Sequence, residues 1–320
     1  MKFTYRFFLL ASFAAFAPLA WGQAQYPSKP IHFIVPFQAG GESDIVARQI
    51  ANKLSAMRGY VVIVDNFPGA GGNLGAEKAL REPADGYTML VISGAYAGNA
   101  VVSKPAFDPV SAIQPVIQFT RQESVLVANA AKFKTMAELI DAAKMAPETI
   151  NYGSAGVGSL GHLSTENFAY NAGIKLNHIP YKGTSGAISD LAGGQTDMMF
   201  AGLTAAKALA KSGQIRILAI GGAKRLPDMP EVPTFAESGL PKFETNLWHG
   251  LVASKDVPSS IITKLNTDIN AVLRDPEIVA RYRFDNVSPV GGTPAQFKEL
   301  IRGDMDRLKQ IVKIANIKVK

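Results

Sequence analysis

The chain has 320 residues, of which 47% are hydrophobic and 18% charged, with a formal net charge of +7 and no cysteine. This length is enough to bury a sizeable core and predicts about two domains. Without cysteine the chain has neither a disulfide nor a lipoprotein attachment site. Its basic residues are scattered, with no run of five and no interleaved aromatic residues, so no nucleic-acid partner is predicted.

The N-terminus has the pattern of a secretory signal peptide. Lys2 and Arg6 precede an apolar run over residues 7–17, and small residues up to Ala24 provide a cleavage site. The apolar run is too short to span a membrane, which disfavours an uncleaved anchor. We therefore predict a signal peptide over residues 1–24, cleaved near Ala24, and a mature protein in the periplasm.

The first predicted strand, over residues 31–35, leads into a turn that suits an anion. Gly40 and Gly41 let the backbone bend there without a Cβ clash. A helix capped by Ser43 or Asp44 follows, with apolar residues at the helical spacing of Val46, Ile50, Leu54 and Met57. Because a helix start presents free N–H groups and the positive end of its dipole, we predict an anion-binding loop.

Farther along the chain, strands and helices alternate as expected of an α/β fold with mainly parallel sheets flanked by helices. Apolar runs predict strands at 60–64, 87–92, 113–119, 124–127, 150–152, 176–180, 198–201, 215–220 and 248–253. Helices are predicted at 76–81, 135–143, 184–192, 259–273, 275–284 and 294–314, with one more ending near 171. Strands end in polar or glycine-rich loops at 65–75 and 93–95, and that edge of an open α/β sheet binds ligands.

A second combination of strand, glycine-rich loop and helix begins at residue 150. Two such units predict two lobes, each with one anion-binding loop. We assign residues 25–121 and 247–320 to lobe 1 and residues 122–246 to lobe 2. The predicted architecture is a two-lobed periplasmic binding protein, or Venus-flytrap, fold with the ligand cleft between the lobes.

The glycine-rich loop of lobe 2 resembles a dinucleotide-binding fingerprint in spelling, since residues 156–161 read Gly-Val-Gly-Ser-Leu-Gly. The acidic residue that would bind the ribose is missing, because no Asp or Glu occurs between Asn167 and Ser189. Export also removes the chain from the nicotinamide cofactor pool. We therefore interpret this loop as a set of backbone N–H groups that hold a carboxylate, and predict no cofactor.

Catalysis and metal binding are the other chemistries considered. Ser154 and Ser159 are candidate nucleophiles of an exported esterase or amidase, but neither lies in a G-x-S-x-G elbow. His162 lies at the same helix start as Ser159, so a helix cap or a hydrogen bond to the ligand is the favoured role of both. The histidines lack metal-ligand spacing and cysteine is absent, so neither a catalytic nor a metal site is predicted.

The motifs resemble the Bug family, the solute-binding proteins of tripartite tricarboxylate transporters. The resemblance extends over essentially the whole mature chain. It rests on the order of Tyr26-Pro27, 29–31, 35–37 with Gly40-Gly41 and Asp44, 68–72, 85–88, Gly153-Ser154 with Gly156, Gly158-Ser159, His162-Leu163, 180–183, Asp190-Leu191, 193–195, Asp197, 232–234, Glu237, 239–241, Trp248 and Gly250-Leu251. The chain departs from the family pattern at Gln38-Ala39, at Phe67 and around 101–106.

This resemblance implies two α/β lobes that close on a small carboxylic acid, gripped by the loops 37–41 and 154–159. With the loop analysis, it predicts ligand contacts at Phe37, Ala39, Gly40, Gly41, Asp44, Gly71, Ser93, Ala95, Ser154, Gly156, Gly158, Ser159, His162, Tyr181 and Asp197. Trp248 is expected to pack near the hinge, with a place in the cleft as the alternative.

The predicted function is that of a periplasmic receptor that is not an enzyme. Its partners are a small organic acid and the integral-membrane permease subunits to which the acid is delivered. Two alternatives stay open at this point, presentation of the ligand to a sensor kinase and hydrolysis by an exported serine esterase or amidase.

Overall fold

The structure, a computed structural model, describes residues 26–103, 105–241, 243, 245–284, 286–314 and 317. The predicted signal peptide over residues 1–24 lies outside the described residues. Among the residues described, no helix combines the length and apolarity needed to cross a membrane.

Strands and helices alternate along most of the chain, as the sequence predicts. The strands are β1 Ile31–Val35, β2 Val62–Asn66, β3 Thr88–Ser93, β4 Ile113–Asn129, β5 Asn151–Ser154, β6 Asn177–Pro180, β7 Met198–Gly202, β8 Ile215–Ile220, β9 Asn246–Ser254 and β10 Val287–Gly291. The helices are α1 Glu42–Arg58, α2 Asn73–Arg81, α3 Gly94–Val102, α4 Met136–Met145, α5 Leu160–Ala172, α6 Thr184–Ala192, α7 Leu203–Lys211, α8 Ser259–Leu273, α9 Pro276–Phe284 and α10 Pro294–Ile314.

The sheet is mixed rather than mainly parallel. β1 runs parallel to β2 and β3, and β5 runs parallel to β6 and β7. β9 is antiparallel to β3 and β4, and β4 is antiparallel to β7, β8 and β10. The α/β class and the two-lobed fold are confirmed, but long antiparallel strands connect the parallel units.

β4 joins the two lobes. Up to Glu123 it pairs with β9 and β10, and from Ser124 onward it pairs with β7 and β8. This change of partners lies beside the predicted boundary at residues 121 and 122, and we keep the predicted lobe boundaries as a proposal. The two extended runs expected at 113–119 and 124–127 are parts of this one strand.

Apolar helices cover both faces of the sheet in each lobe. In lobe 1, one face packs against α1, α8 and α9, and the other packs against α2, α3 and α10. In lobe 2, α4 and α5 cover one face, and α6 and α7 cover the other. Leu163 of α5 is part of the lobe 1 core, so the two lobes share apolar contacts.

Three elements, α3, α7 and β10, are not predicted from the sequence. A polar loop was expected at 93–95, but Ser93 is the N-cap of α3, and its side chain accepts a hydrogen bond from the N–H of Ala95. Gly94 and Gly98 lower the intrinsic helix propensity of this segment. Packing of α3 against α10 and lobe 2 offsets that loss.

Candidate functional site

A small cavity lies where the lobes meet. Its volume is about 40 Å³, room for about three water molecules if each needs roughly 10–15 Å³. Its lining residues are Phe37, Gly41, Glu42, Ser43, Ser93, Ala95, Ser124, Ala155, Ser159, Leu160, Gly161, Thr184, Phe200, Ala201, Leu247 and His249. Both lobes, together with β4 and β9, therefore contribute to the lining of one cavity.

Five helices begin beside this cavity, α1 and α3 from lobe 1 and α5, α6 and α7 from lobe 2. Each helix start carries the equivalent of about half a positive charge, and its first N–H groups have no partner within the helix itself. Among the described residues, no lysine or arginine lines the cavity. The positive potential at this place therefore comes from the backbone, which suits a small anion.

The start of α1 differs from the prediction. Its N-cap is Gly41, with no side-chain cap, so neither Ser43 nor Asp44 caps the helix. Asp44 instead stands in the first turn, where its carboxylate accepts hydrogen bonds from the N–H of Gly40 at 2.9 Å and from Arg48 and Asn66 at 3.0 Å. Burial opposes ionisation of Asp44, but these hydrogen bonds outweigh it and lower its pKa. Asp44 therefore holds the loop before α1 in place without lining the cavity itself.

The lobe 2 loop is held by its own side chains. Ser159 caps α5 by accepting a hydrogen bond from the N–H of His162 at 3.3 Å. The N–H of Gly158 donates to Nδ1 of His162. The rings of His162 and His178 stack with centroids 4.4 Å apart, and burial lowers the pKa of His162 to about 4. A neutral imidazole can accept the hydrogen bond from the N–H of Gly158. Ser159 has the helix-cap role that was expected of it.

Among the described residues, Ser154 and His178 resemble a nucleophile and its base, with Oγ and Nε2 2.7 Å apart. Ser154 is fully buried and does not line the cavity, and its Oγ also accepts a hydrogen bond from the N–H of Gly156. Burial and then the neighbouring His162 lower the pKa of His178 to about 3. In the described part of the chain no carboxylate orients this imidazole, so the geometry lacks substrate access and a complete triad.

The structure divides the predicted ligand contacts into two groups. Five line the cavity: Phe37, Gly41, Ser93, Ala95 and Ser159. The others do not line it: Ala39, Gly40, Asp44, Gly71, Ser154, Gly156, Gly158, His162, Tyr181 and Asp197. Several residues of the second group shape the loops. Trp248 is buried in the core of lobe 1, where its Nε1–H donates to Asp304 at 3.0 Å.

Two of the predicted contacts lie away from the cavity. Asp197 precedes β7 at the amino ends of the lobe 2 strands, where its carboxylate pairs with Lys132 and accepts the N–H of Asn151. Ala201, which lines the cavity, is four residues on, roughly 13 Å along an extended strand. Tyr181 donates its hydroxyl to Asp190 at 2.7 Å. Both therefore have structural partners outside the cavity.

Two buried ionisable residues in the lining were not predicted. Glu42, the first residue of α1, is 8% exposed, and burial raises its pKa to about 7 although the N–H of Gly202 lowers it. His249 of β9 is 1% exposed, and burial lowers its pKa to about 4. Glu42 follows the predicted glycine turn directly, a signal that was available. His249 reaches the cavity through strand pairing with β3 and β4, which the sequence does not show.

The lobes are in contact around the cavity. A Cβ on Gly98 would lie 2.1 Å from the carbonyl oxygen of Gly158, and one on Gly71 would lie 2.3 Å from that of Val157. Across the same boundary, Gly202 donates its N–H to Oε1 of Glu42 at 2.5 Å. This conformation is closed. Within the described residues, no group of three or more His, Asp or Glu side chains is placed to hold a metal ion.

A family model described as "Tripartite tricarboxylate transporter family receptor" matches residues 46–317. The chain belongs to this receptor family. Its solved relatives include the periplasmic binding protein BugD, with a TM-score of 0.87 and 30% identity over 92% of this chain and 99% of that one. The predicted resemblance to the Bug family is therefore confirmed, and the chain is a periplasmic solute-binding protein by family.

Two further members of this structural group were solved with ligands. R. palustris Rpa4515 with adipate has a TM-score of 0.88 and 34% identity, covering 92% of this chain and 99% of that one. MatC from Rhodopseudomonas palustris with bound malate has a TM-score of 0.86 and 27% identity, covering 90% of this chain and all of that one. These two proteins are therefore carboxylate-bound examples of the same fold.

Proposed function

We propose that this receptor binds a small organic anion by its carboxylate in the interlobe cavity and delivers it to integral-membrane permease subunits. The observation that carries the proposal is the convergence of five helix starts on one cavity. Charge-assisted hydrogen bonds contribute about 1.5–3 kcal/mol each, so a few of them reach the roughly 8 kcal/mol of a micromolar complex. The relatives solved with adipate and malate support a carboxylate ligand.

The proposed contacts are the polar and aromatic lining groups, Phe37, Gly41, Ser43, Ser93, Ser124, Ser159, Thr184 and His249. The backbone conformation of the two loops is fixed by residues that do not line the cavity, namely Asp44, Gly40, Gly156 and Gly158. The cavity measures about 40 Å³ in this conformation, too little for an organic acid, so the lobes must separate to admit the ligand and must stay farther apart than they are here when they close around it. Closure then creates the surface that the permease recognises.

Calorimetry with matched acids and methyl esters tests carboxylate capture. We expect any acid that binds to lose at least 100-fold in affinity as its ester, because the ester has no charge for the helix starts to stabilise. A basic groove of about 780 Å³ on lobe 2, lined by Lys134, Lys207, Lys211 and Arg216 among others, provides the control. Arg216→Ala leaves the affinity unchanged if the cavity is the site, and a loss with this variant would place the anion in the groove instead.

Uptake of a labelled acid by cells tests delivery. Cells that make the receptor should accumulate the acid, and cells that lack it should not. Normal uptake without the receptor, together with a lost transcriptional response to the acid, would favour presentation to a sensor kinase. No contact in the described residues favours that second partner.

Hydrolysis is the second candidate function, because Ser154 and His178 are in hydrogen-bond contact. The buried position of Ser154 and the missing third group weigh against it. We therefore propose that the receptor returns its ligand unchanged, which chromatography of the ligand after prolonged incubation tests.

A further inference from the structure

Glu42 places a carboxyl group inside the cavity that we propose for an anion. It is the first residue of α1, it lines the cavity, and it is 8% exposed. Its Oε1 accepts a hydrogen bond from the N–H of Gly202, the N-cap of α7 in the other lobe. The receptor's own acidic side chain thus occupies one of the helix starts that would otherwise attract the ligand.

The groups around Glu42 are uncharged or already paired. Gln122 of β4, Thr204 of α7 and Tyr282 of α9 lie with Glu42 around a small adjoining space. His249 on β9 faces the same cavity and is neutral above about pH 4. On α1 itself, the guanidinium of Arg48 is bound to the carboxylate of Asp44. Within the described residues, no cation is therefore placed to neutralise an ionised Glu42.

The charge of the site is consequently limited. Five helix starts supply about half a positive charge each, and an ionised Glu42 cancels about two of them. About one and a half positive charges are then left, which exceeds the charge of one ligand carboxylate and falls short of two. A second carboxylate beside Glu42 would place two like charges together in a buried space, where their repulsion is only weakly screened.

We infer that Glu42 is a specificity-determining residue that selects ligands with one carboxylate and, at the opposite end, a hydrogen-bond donor such as an amide N–H, a hydroxyl or an ammonium group. This inference rests on the proposed capture of a carboxylate in the cavity. The helix starts of α3 and α5 hold the ligand carboxylate, and the donor meets the Glu42 carboxylate. Dicarboxylates, including the adipate and malate found in two relatives, are disfavoured because their second charge faces Glu42.

Matched ligand pairs test the selection. Succinate, glutarate and adipate are compared with their half-amides succinamate, glutaramate and adipamate, each pair differing only in an amide for one carboxylate. At pH 8, where Glu42 is ionised, we expect at least one half-amide to bind the wild type tenfold or more tightly than its dicarboxylate. Glu42→Gln should reverse that preference by tenfold or more. Glu299→Gln, on the exposed surface of α10, is the matched control and should leave the ratio unchanged.

A pH series on the wild type tests Glu42 without a substitution when each half-amide is compared with the monomethyl ester of the same diacid, because neither ligand has a group that titrates between pH 5.5 and 8. Burial raises the pKa of Glu42 to about 7, so its carboxyl is protonated at pH 5.5 and ionised at pH 8. The preference for the half-amide over the monomethyl ester should therefore grow about tenfold between these values. This measurement keeps the test decisive if the Glu42→Gln variant does not fold.

The outcomes separate the two proposals. A wild type that prefers the dicarboxylate at pH 8, or a ratio that neither pH nor Glu42→Gln changes, overturns the role of Glu42 and leaves carboxylate capture intact. If folded wild type and Glu42→Gln both bind the fully methylated esters as tightly as the acids, capture of a carboxylate itself is wrong, and the inference fails with it.

Discussion

Gly98 of α3 faces the carbonyl oxygen of Gly158 across the lobe boundary, so closely that a Cβ on Gly98 would lie 2.1 Å from it. Gly98→Ala should therefore hold the lobes apart. The variant should still fold, because alanine favours a helix over glycine by about 1 kcal/mol. We expect a larger radius of gyration in small-angle scattering and at least a tenfold weaker affinity for the bound acid.

Gly303→Ala is the matched control for this prediction. Gly303 lies within α10, and a Cβ there would meet no atom within 4 Å. The control should keep the wild-type radius and affinity. If Gly98→Ala binds and closes like Gly303→Ala, the contact between α3 and the lobe 2 loop does not govern closure.

Asp44→Ala should loosen the loop that precedes α1. The substitution leaves the N–H of Gly40 and the side chains of Arg48 and Asn66 without their acceptor. We expect the free energy of unfolding to fall by about 1–3 kcal/mol, measured by urea denaturation at pH 7, together with weaker ligand binding.

The effect of Asp44→Ala should depend on pH in a defined direction. Because the pKa of Asp44 is lowered in the folded protein, its stabilisation is present above the unfolded value of about 3.9 and is lost as the pH falls through the lower folded value. The difference between wild type and variant should shrink at pH 3. A difference of the same size at pH 3 and pH 7 would argue that Asp44 acts only through packing.

His249 should make the protein sensitive to acid. Its pKa is lowered by burial to about 4, against about 6.5 when unfolded, so between these values the unfolded chain binds more protons. Stability should therefore decline as the pH falls from about 6.5 to 4, by up to ~1.4 kcal/mol per pH unit from this residue. His249→Gln should flatten the profile in urea denaturation. His162 and His178 titrate in the same range, as does Glu42 with the opposite effect on stability. All three remain in both proteins, so an unchanged slope would contradict the role of His249.

Ser154→Ala separates the structural from the catalytic role of the Ser154–His178 contact. The substitution removes hydrogen bonds to His178 and to the N–H of Gly156, so stability should fall by about 1–3 kcal/mol. Hydrolysis of nitrophenyl esters should be at background in both proteins. Turnover by the wild type that Ser154→Ala abolishes would instead establish an esterase.

Local signals were enough to predict the units that build the cavity. The strand at 31–35, the glycine turn after it and the helix carrying Val46 and Ile50 follow from neighbouring residues, and Phe37 and Gly41 line the cavity as expected. Ser159 also lines the cavity. It was predicted from neighbouring residues too, because a strand, a glycine-rich loop and a helix follow one another there along the chain.

Residues that depend on tertiary pairing could not be found in this way. Ser124, Leu247 and His249 line the cavity because of how β4 and β9 pair, in a register that shifts twice along the two strands. The sequence carries no local mark of that register. Asp197 directly precedes the predicted strand at 198–201, which indicates the amino end of that strand and not the edge expected to bind ligands. It belongs to the predicted contacts through the motifs of the family resemblance.

β4 runs without a break from Ile113 to Asn129, and β9 pairs with it up to the point where it changes lobes. Through β4 the lobes are therefore joined by one continuous ribbon of hydrogen-bonded strand, whose partners change at Ser124. To open, the molecule must bend or twist this ribbon, which resists deformation elastically. The range of opening should consequently be narrow, and each release of cargo should be followed by a spontaneous return toward the shut geometry.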